Sequence, residues 1–400
     1  MMKNKKIFML TQTVFPPDIR LEKEIKSLYE NGFRLKVFCN QFEKNKGGDF
    51  PYCEIDRLKA PFNSITLNKI INFPFIINLR FFITAVISAF KFSPDFVHAH
   101  NLPMVPIGFV IKVLFRIPLI YDMHENYPAA LVAYQKKGFT NKIFKNHYLA
   151  LLIDKICIKI SDQVIVVVKE NKDHLIKSYN TVNKKITVVS NTVDLNTFGK
   201  EDVSKLIIDK YKNKVILLYT GVVSKNRGLD TPLKALALIK RKIPNIIFLI
   251  IGNGDGKEEL KKIADREKLQ NYVDFVEWPG HNMLSSFIYV ADVCTIPQPA
   301  IESNNTTIPH KLFEYMSKGK KILVSDAKPL KRVIRETQSG IYFESFNTTD
   351  YSQKFIELMK SSENFSKNGI KWVREKYNWS QDSEELINLY LSISNNNGES

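Results

Sequence analysis

Continuous runs of apolar residues alternate with amphipathic stretches along nearly the whole chain. Apolar runs without polar alternation are typical of strands buried in a parallel sheet, and the amphipathic stretches between them are typical of covering helices. Six strands are predicted in the first half, at residues 6–10, 35–39, 96–99, 119–121, 163–167 and 187–189. Six more are predicted in the second half, at residues 215–219, 246–251, 273–275, 293–296, 321–324 and 341–343. This order predicts the α/β fold class, with two doubly wound, Rossmann-like domains.

The length of the chain also favours two domains, because 400 residues exceed what a single hydrophobic core usually holds. Residues 190–204 are polar and rich in turn formers, and we interpret them as the connection. The domains are then predicted at residues 1–190 and 191–379. Ligands of doubly wound domains bind beyond the carboxyl ends of the strands, so we expect the functional site in a cleft that both sets of strand ends face.

Cysteine usage indicates a reducing compartment. The four cysteines lie far apart and form no C-x-x-C pair, which argues against a zinc knuckle and against a disulfide framework. The apolar run at residues 7–10 is too short for the core of a signal peptide, and we interpret it as the first strand. These observations predict a cytoplasmic protein.

The net charge of +17 is unevenly distributed. Residues 1–190 contain 28 Lys and Arg against 15 Asp and Glu, whereas residues 191–400 contain 30 against 26. No nucleic-acid-binding motif accompanies this charge, so nucleic acid is not expected as a partner. An anionic membrane surface is the favoured partner of the basic first half, and peripheral association with the inner face of the cell membrane follows from it.

Residues 70–90 are the one candidate for direct membrane contact, since they are apolar over about twenty positions. Asn72, Pro74, Asn78 and Arg80 interrupt the run, which disfavours a transmembrane helix. Two interpretations stay open, a helix packed on the sheet and a helix that docks at the membrane interface.

A polar loop followed by a short helix is predicted at residues 297–326. Pro309 suits the first turn of a helix over residues 310–317, and Gly319 suits its left-handed end. Lys311 and Glu314 are three residues apart and share a face of that helix. A lysine near a helix N-terminus can receive phosphate, and the carboxylate can accept hydroxyls of a ribose. The alternative is a surface ion pair.

Loop residues after the strands of the first half supply further candidates. Asp18 and Arg20 follow the first strand and are expected at the mouth of its loop, or else Asp18 caps the helix and Arg20 is solvated. His98 is interpreted as a core histidine. The other candidates at strand ends in this half are His100, Asn101, His124 and Glu125.

The spacing of these histidines raises the question of a metal. An H-x-H pair with a third histidine can form a metal site, but no carboxylate lies at helical spacing and no D-x-D occurs in the chain. We therefore expect no metal, and we expect His124 to hydrogen-bond a polyhydroxyl ligand.

Two glycine turns follow strands of the second half. The first contains Gly221, Lys225 and Arg227, and such a loop can bind phosphate through backbone N–H groups and basic side chains. The second, at residues 250–256, contains Gly252 and fits the wall of a nucleotide pocket or an ordinary tight turn equally well. Neither has the spacing of a Walker loop or of G-x-G-x-x-G.

In this order, the motifs resemble those of the retaining GT-B glycosyltransferases of family 4. The resemblance covers almost the whole chain through FPPDIRLEKEIKSLYENGF, DFVHAHNLP, YDMHENYP, VVSNTVDLNTF, YTGVVSKNRGLD, IIGNGDG, PHKLFEYMSKGKKILVSD and YNWSQDSEELINLY. It implies a nucleotide-sugar donor bound mainly by the second domain. It also implies a last helix, at about residues 380–393, that packs back on the first domain.

The resemblance assigns roles to individual residues. Arg227 matches the basic residue on the donor diphosphate, Glu314 the carboxylate on the ribose, and His124 the histidine near the donor sugar, with Lys311 beside them as the fourth catalytic candidate. The implied donor-binding residues are Gly221, Lys225, Arg227, Gly252, Asn304, Asn305, Thr306, Thr307, Lys311, Leu312 and Glu314. The implied acceptor-side residues are Asp18, Arg20, His100, Asn101 and Glu125.

The chain departs from the family pattern at two positions. Thr306 stands where the first acid of the family's E-x7-E motif is expected, and the polar run from Asn304 to Thr307 is expected to take over its contacts to the sugar. Val222 stands where a second basic residue often follows the strand.

The implied activity is retaining transfer of a sugar to a glycan or lipid-linked acceptor, in cell-surface polysaccharide or lipopolysaccharide biosynthesis. The implied chemistry is a front-face displacement that needs neither a metal nor another cofactor. Two alternatives stay open: a sugar-nucleotide epimerase on the same fold, for which Glu125 is the evident acid/base candidate, and a degenerate, non-catalytic binding protein.

Overall fold

The fold is taken from a computed structural model that describes residues 4–41, 48–59, 78–133, 147–199 and 203–396. The chain divides into two compact units. The first contains Met1–Ser190 together with Asp382–Ser400, and the second contains Asn191–Gln381. The last helix thus begins in the second unit and contributes most of its length to the first.

The first unit is built on a parallel sheet of seven described strands in the order β3-β2-β1-β4-β5-β6-β7. Its strands are β1 (Lys6–Leu10), β2 (Arg34–Asn40), β3 (Glu54–Leu58), β4 (Phe96–His100), β5 (Leu119–Met123), β6 (Gln163–Val166) and β7 (Ile186–Val188). Its helices are α1 (Ile19–Glu30), α2 (Leu79–Phe92), α3 (Val105–Phe115), α4 (Tyr127–Ala133), α5 (His147–Ile160) and α6 (Lys169–Tyr179). Alternate strand residues such as Phe8, Val97 and Tyr121 pack under α2, α3 and α5.

The second unit is built on a parallel sheet of six described strands in the order β10-β9-β8-β11-β12-β13. Its strands are β8 (Val215–Thr220), β9 (Ile246–Ile251), β10 (Val273–Val276), β11 (Val293–Ile296), β12 (Lys321–Ser325) and β13 (Gly340–Phe343). Its helices are α7 (Lys205–Tyr211), α8 (Asp230–Ile239), α9 (Lys257–Arg266), α10 (His281–Val290), α11 (Lys311–Ser317), α12 (Lys328–Thr337), α13 (Thr348–Lys360) and α14 (Phe365–Glu375), followed by the last helix α15 (Trp379–Asn396).

The structure confirms the α/β class and all twelve predicted strands, with small changes at their ends. It adds β3, which the sequence pattern did not show. The sequence of β3 is EIDRL, and four of its five residues are not buried, because it lies at the edge of the sheet. A charged, alternating edge strand lacks the continuous apolar run that marks a buried parallel strand.

Two predicted helices differ in their limits. The helix α2 begins at Leu79 with Asn78 as its N-cap, so Asn78 starts the helix rather than interrupting an apolar one; residues 70–77 of the predicted segment lie outside the described residues. Helix α11 begins at Lys311, with His310 as its N-cap, and Pro309 therefore precedes its first turn. Gly319 follows the helix with φ +61°, as predicted.

The strand order places two loops of each unit side by side. In the first sheet, β1 lies between β2 and β4, and in the second sheet, β8 lies between β9 and β11. At such a switch in strand order, the loops that follow the two neighbouring strands turn to opposite faces and leave a crevice at the carboxyl edge. The predicted site residues follow β1, β4 and β5 in one unit and β8, β9 and β11 in the other.

Candidate functional site

The glycine turns after β8 and β9 contact each other at the carboxyl edge of the second sheet. Gly252 has φ +142°, and a Cβ atom there would lie 2.0 Å from the carbonyl oxygen of Gly221. Gly221 itself has φ +120°, and a Cβ atom there would lie 2.7 Å from the Nζ atom of Lys311. Both positions therefore require glycine, and the second brings the backbone after β8 close to an ammonium group.

Lys311 lies buried at the start of α11, beneath this turn. Its Nζ atom donates a hydrogen bond to the carbonyl oxygen of Thr220 and lies 4.0 Å from the centroid of the Tyr219 ring. Burial, together with the positive charge of Arg227, holds the pKa of Lys311 well below its usual range, and the charge of Glu314 opposes this shift. The charged form of this amine is thus disfavoured until an anion binds.

Glu314 lies one turn further along α11 and is also buried, with its Oε1 atom 3.6 Å from Nε2 of His310. The helix is fixed from its other side by Tyr315, whose hydroxyl accepts a hydrogen bond from the N–H of Thr220 at 3.0 Å. Lys311 and Glu314 are therefore not the surface ion pair of the alternative interpretation. They are two buried polar side chains, of which Lys311 contacts the end of β8, while Leu312 packs in the core.

The basic loop after β8 forms a 3₁₀ turn, Lys225–Arg227. Arg227 is half-buried and Lys225 is exposed. Val222, at the position where a second basic residue was expected, is also exposed. Of the cations of this loop, Arg227 is the one whose charge acts on Lys311.

The polar run after β11 forms a second 3₁₀ turn, Asn304–Thr306, and its side chains are used within the loop. The amide of Asn304 donates to the Pro299 carbonyl oxygen at 2.9 Å, and the side-chain oxygen of Asn305 accepts from the N–H of Lys328 at 2.9 Å. The Thr306 hydroxyl is buried and donates to the carbonyl oxygens of Glu302 and Ser303, at 3.1 and 3.2 Å. These bonds give no support to the expectation that Thr306 replaces the missing acid, because its hydroxyl already serves the backbone; Thr307 follows in extended conformation.

At the carboxyl edge of the first sheet, Asp122 at the end of β5 is fully buried and surrounded by positive and imidazole groups. Its carboxylate lies 3.1 Å from a guanidinium nitrogen of Arg20. Its Oδ2 atom lies 3.6 Å from Nε2 of His98, 3.5 Å from Nδ1 of His100 and 3.3 Å from Nε2 of His124. Burial alone would raise the pKa of Asp122, but the charges of Arg20 and His124 and the hydrogen bonds of the imidazoles hold it well below its usual range.

Arg20 was expected either at the mouth of a loop or in solvent, and both expectations are wrong. It lies in the first turn of α1 and is buried, with its Nη1 atom donating to the carbonyl oxygen of Val189 at 3.1 Å. Asp18 is the N-cap of α1 and accepts from the N–H of Leu21 at 3.1 Å, which is the capping role that was left open. The α1 helix therefore turns Arg20 inward, where the carboxylate of Asp122 compensates its charge.

The three histidines differ in exposure. His98 is a core residue, as interpreted from the sequence, and its Nδ1 atom lies 2.7 Å from the hydroxyl of Tyr390 on α15. His100 is also buried, and burial and the neighbouring His98 lower its pKa to about 3; its place on the acceptor side stays a prediction. Its Nδ1 atom lies 3.1 Å from Nε2 of His124, and His124 is 22% exposed. Of these three imidazoles, only that of His124 is open to a ligand.

The two remaining candidate residues at the carboxyl edge of the first sheet are Asn101 and Glu125. Asn101 has φ +67°, and its backbone N–H donates to the Asp122 carbonyl oxygen at 2.9 Å, so it shapes the turn after β4. Glu125 directly follows His124 and is half-buried.

Within the described part of the chain, four buried side chains of this cluster are close enough together to ligate a metal ion: Glu24, His98, His100 and Asp122. The guanidinium group of Arg20, however, lies 2.9 Å from Oε1 of Glu24 and 3.1 Å from Oδ1 of Asp122. A fixed positive charge between the two carboxylates already occupies the place of a cation, so these residues do not fit a metal. Burial, followed by the charge of Asp122, raises the pKa of Glu24 well above its usual range.

Sequence reasoning missed Asp122, Glu24 and Tyr390. Asp122 is an acid at the end of a buried strand, and Glu24 lies four residues after Arg20 on one helix face; both signals could have been read from the chain. Tyr390 could not, because it lies 292 residues from His98 in the sequence.

The fold of the chain is also found in known proteins. The structure is similar to sucrose-phosphate synthase from Thermosynechococcus elongatus, with a TM-score of 0.79, 17% identity, and 98% of this chain and 99% of that chain covered. It is similar to Anabaena HepE, solved with UDP-glucose, with a TM-score of 0.71, 15% identity, and 97% and 99% covered. It is also similar to WaaG, a glycosyltransferase involved in lipopolysaccharide biosynthesis, with a TM-score of 0.69, 14% identity, and 94% and 98% covered.

Two parallel-sheet units of this kind define the GT-B class of glycosyltransferases. The family model described as Glycosyltransferase Family 4 matches residues 21–197, and the model described as Glycosyl transferases group 1 matches residues 201–372. The chain therefore belongs to the glycosyltransferases that these two models describe, group 1 and family 4. The resemblance inferred from the sequence motifs is confirmed.

Proposed function

We propose that the protein is a retaining glycosyltransferase that moves a sugar from a nucleotide-sugar donor to a glycan or lipid-linked acceptor. The observation that carries this proposal is the buried Lys311 ammonium group, whose pKa is lowered by burial and by the adjacent charge of Arg227. Burial and the charge of Arg227 disfavour the charged form of Lys311 in the empty protein, and a doubly charged anion bound beside both side chains would restore it. The diphosphate of a nucleotide sugar has that charge.

In this proposal, Arg227 and Lys311 bind the donor diphosphate, and Glu314 accepts the hydroxyls of the ribose. The proposal is supported by the solved complex of HepE with UDP-glucose, a protein that shares the fold. Gly221 and Gly252 keep the backbone open beside Lys311, so that backbone N–H groups of the loop can also reach the phosphates. In the first unit, His124 is the group that hydrogen-bonds a sugar hydroxyl.

In the proposed transfer reaction, the diphosphate of the donor is the leaving group. The bond from the anomeric carbon to the leaving diphosphate oxygen breaks while the acceptor oxygen bonds to the same face, and a phosphate oxygen of the donor takes the acceptor proton. No protein nucleophile is used. Arg227 and Lys311 stabilise the negative charge that grows on the diphosphate, and their interaction with it is stronger in the transition state than in the bound donor. No metal is required by this scheme.

A cell-surface polysaccharide or lipopolysaccharide is the proposed product, made by a cytoplasmic protein bound peripherally to the inner face of the membrane. The involvement of WaaG in lipopolysaccharide biosynthesis supports this choice, as does the net charge of +13 in residues 1–190, where 28 basic residues outnumber 15 acidic ones. The acceptor in such pathways is held at the membrane, where the enzyme must meet it.

A thermal-shift panel of UDP, GDP, ADP and their sugars tests donor binding, because a ligand that binds only the folded state raises the melting temperature. We expect one nucleotide series to raise it in the wild-type protein, and Glu314→Ala to abolish most of the shift. Lys360→Ala, at an exposed lysine on the last turn of α13, is the control that keeps the shift. Absence of a shift with every nucleotide sugar would refute the proposal.

Activity assays separate transfer from the alternatives. Incubation with the nucleotide sugar alone, followed by NMR, should show slow hydrolysis but no new sugar. A new epimer would instead establish an epimerase, and donor binding without turnover on any acceptor would establish a binding protein.

A further inference from the structure

Three neighbouring helices of the first unit are apolar on their outer as well as their inner side. On α2, Phe81 and Ala85 pack into the core, while Leu79, Ile83 and Ile87 recur at every fourth position on the outer side. A helix that covers a sheet normally turns polar residues outward, so packing among the described residues of the unit does not explain this second apolar stripe.

The stripe continues over the next two helices. Helix α2 packs against α3, with the rings of Phe90 and Phe115 4.8 Å apart, and α3 packs against α5. The outward large apolar residues of the three helices, here called the apolar face, are Leu79, Ile83, Ile87, Phe90, Val113, Leu114, Tyr148, Leu149, Leu152 and Ile156. Their exposed fractions lie between 43% for Leu149 and 81% for Tyr148. Single exposed apolar residues are ordinary, but ten on adjoining helices mark an interaction surface.

The charged residues of the three helices themselves are mostly cations. The three helices contain the cations Arg80, Lys91, Lys112, Lys155 and Lys159. Their one carboxylate, Asp154, is buried and accepts a hydrogen bond from Tyr121 at 3.0 Å. Lys112 is paired with the exposed Asp162, shortly after α5, at 2.7 Å, and Arg80, Lys91, Lys155 and Lys159 remain as the cations of the surface. An apolar surface with this excess of cations is complementary to a layer with an apolar interior and anionic headgroups.

The length and hydropathy of the described helices decide whether they could cross a membrane or only lie on its surface. Among the described residues, no helix is both long enough and apolar enough to cross a bilayer. We propose that the apolar face docks α2, α3 and α5 in the headgroup region of an anionic membrane leaflet, with their axes in the plane of the interface. This proposal rests on the membrane association proposed above and assigns it to a defined surface.

Flotation of the full chain with lipid vesicles tests the assignment. The probes are vesicles of phosphatidylcholine mixed with phosphatidylglycerol, and vesicles of phosphatidylcholine alone. We expect the wild-type protein to float with the anionic vesicles at low salt and to bind them more weakly at high salt, because salt screens the electrostatic part of the attraction. A protein that stays at the bottom with anionic vesicles at low salt would overturn the proposal.

Two sets of variants locate the contact. The triple variant Ile83→Gln, Ile87→Gln and Leu152→Gln, and the double variant Lys155→Glu and Lys159→Glu, should each raise the lipid concentration for half-maximal binding at least about tenfold. The matched controls change exposed residues of the second unit: Leu206→Gln, and Lys212→Glu with Lys262→Glu. Control variants that weaken binding as much as the test variants would contradict the assignment.

The apolar face could instead bind a second copy of the chain, and light scattering tests this alternative by measuring the oligomeric state. A dimer that the triple variant dissociates, in a protein that does not float with vesicles, would show that the apolar face is a self-association surface and overturn the proposal. The thermal shift with nucleotides separates this test from that of the enzyme. A triple variant that keeps the nucleotide shift but no longer floats is folded and supports the docking surface, whereas a protein that floats without any nucleotide shift keeps the surface and refutes the transferase.

Discussion

The two units carry buried charges at the same edge of similar sheets, but they compensate them differently. In the first unit, the Asp122 carboxylate is matched by Arg20 and by three imidazoles, and this balance lowers its pKa. In the second unit, Lys311 lies beside Arg227, and the repulsion between them adds to the effect of burial in lowering the lysine pKa. A balanced cluster stabilises the fold, whereas an excess of one sign is suited to a ligand of the other sign.

The comparison predicts that removal of the central charge lowers the stability of the first unit much more than that of the second. Asp122→Asn should lower the free energy of unfolding by about 3 kcal/mol, because the buried Arg20 guanidinium loses the ionised one of its two carboxylate partners and keeps Glu24, whose pKa is raised. Urea denaturation followed by circular dichroism measures the change.

Asp173→Asn, at an exposed position of α6, is the matched control for this substitution and should change stability by less than about 0.5 kcal/mol. If Asp122→Asn were as mild as the control, the cluster of the first unit would not be a stabilising one, and the contrast between the units would fail.

Removal of the Lys311 charge should act on transfer rather than on stability. Lys311→Met keeps most of the side-chain volume and removes a cation that Arg227 repels, so the free energy of unfolding without ligand should fall by less than about 1 kcal/mol or rise. The rate of sugar transfer should fall at least about 100-fold, because a donor to the developing negative charge is lost.

Lys321→Met is a suitable control for the lysine, since Lys321 is part-buried and its ammonium donates to backbone carbonyls such as that of Leu358, at 3.0 Å. It should leave transfer nearly unchanged. A strong loss of stability in Lys311→Met with full transfer activity would assign Lys311 to the fold and reverse the comparison.

The pH dependence of stability should report the burial of His100 in the cluster of the first unit. The pKa of His100 is lowered to about 3, so the folded protein keeps this imidazole neutral while the unfolded chain protonates near its ordinary value of 6.5. The unfolded state thus binds more protons between these values, and stability falls as the pH is lowered from about 6.5 to about 3, by at most about 1.4 kcal/mol per pH unit.

Other groups of the cluster titrate in the same experiment. The low pKa of Asp122 also removes stability on acidification, whereas the raised pKa of Glu24 acts in the opposite direction, because the folded state holds that proton more strongly. The contribution of His100, together with its effect on the pKa of Asp122, is measured as the difference between the wild type and His100→Asn. As the pH falls, the wild type should lose stability faster than His100→Asn; an identical pH profile for the two proteins would contradict the prediction.

Much of the fold was predictable because parallel strands are local features of the sequence. Each predicted strand, such as β9 with the sequence IIFLII, contains a continuous apolar run that can be recognised in the sequence. Among the described strands, β3 was the one not predicted, because it lies at an edge of the sheet and carries charged residues. The motifs around Lys311, Glu314 and Arg227 were also visible, because each is a short segment at a strand end. Their burial was not visible, since it depends on packing against Thr220 and Tyr219 from another part of the chain.

The sequence by itself determined the α/β class, the family and the segments that carry the candidate site, because these depend on periodicity and on short motifs. Only the tertiary structure decided what the charges do. It turned Arg20 inward to Asp122, 102 residues away, and His98 toward Tyr390, 292 residues away. It also buried the Lys311 ammonium group beside Arg227. The energy of a charge depends on its burial and on its neighbours in space, and neither is encoded in the residue type or in the local pattern.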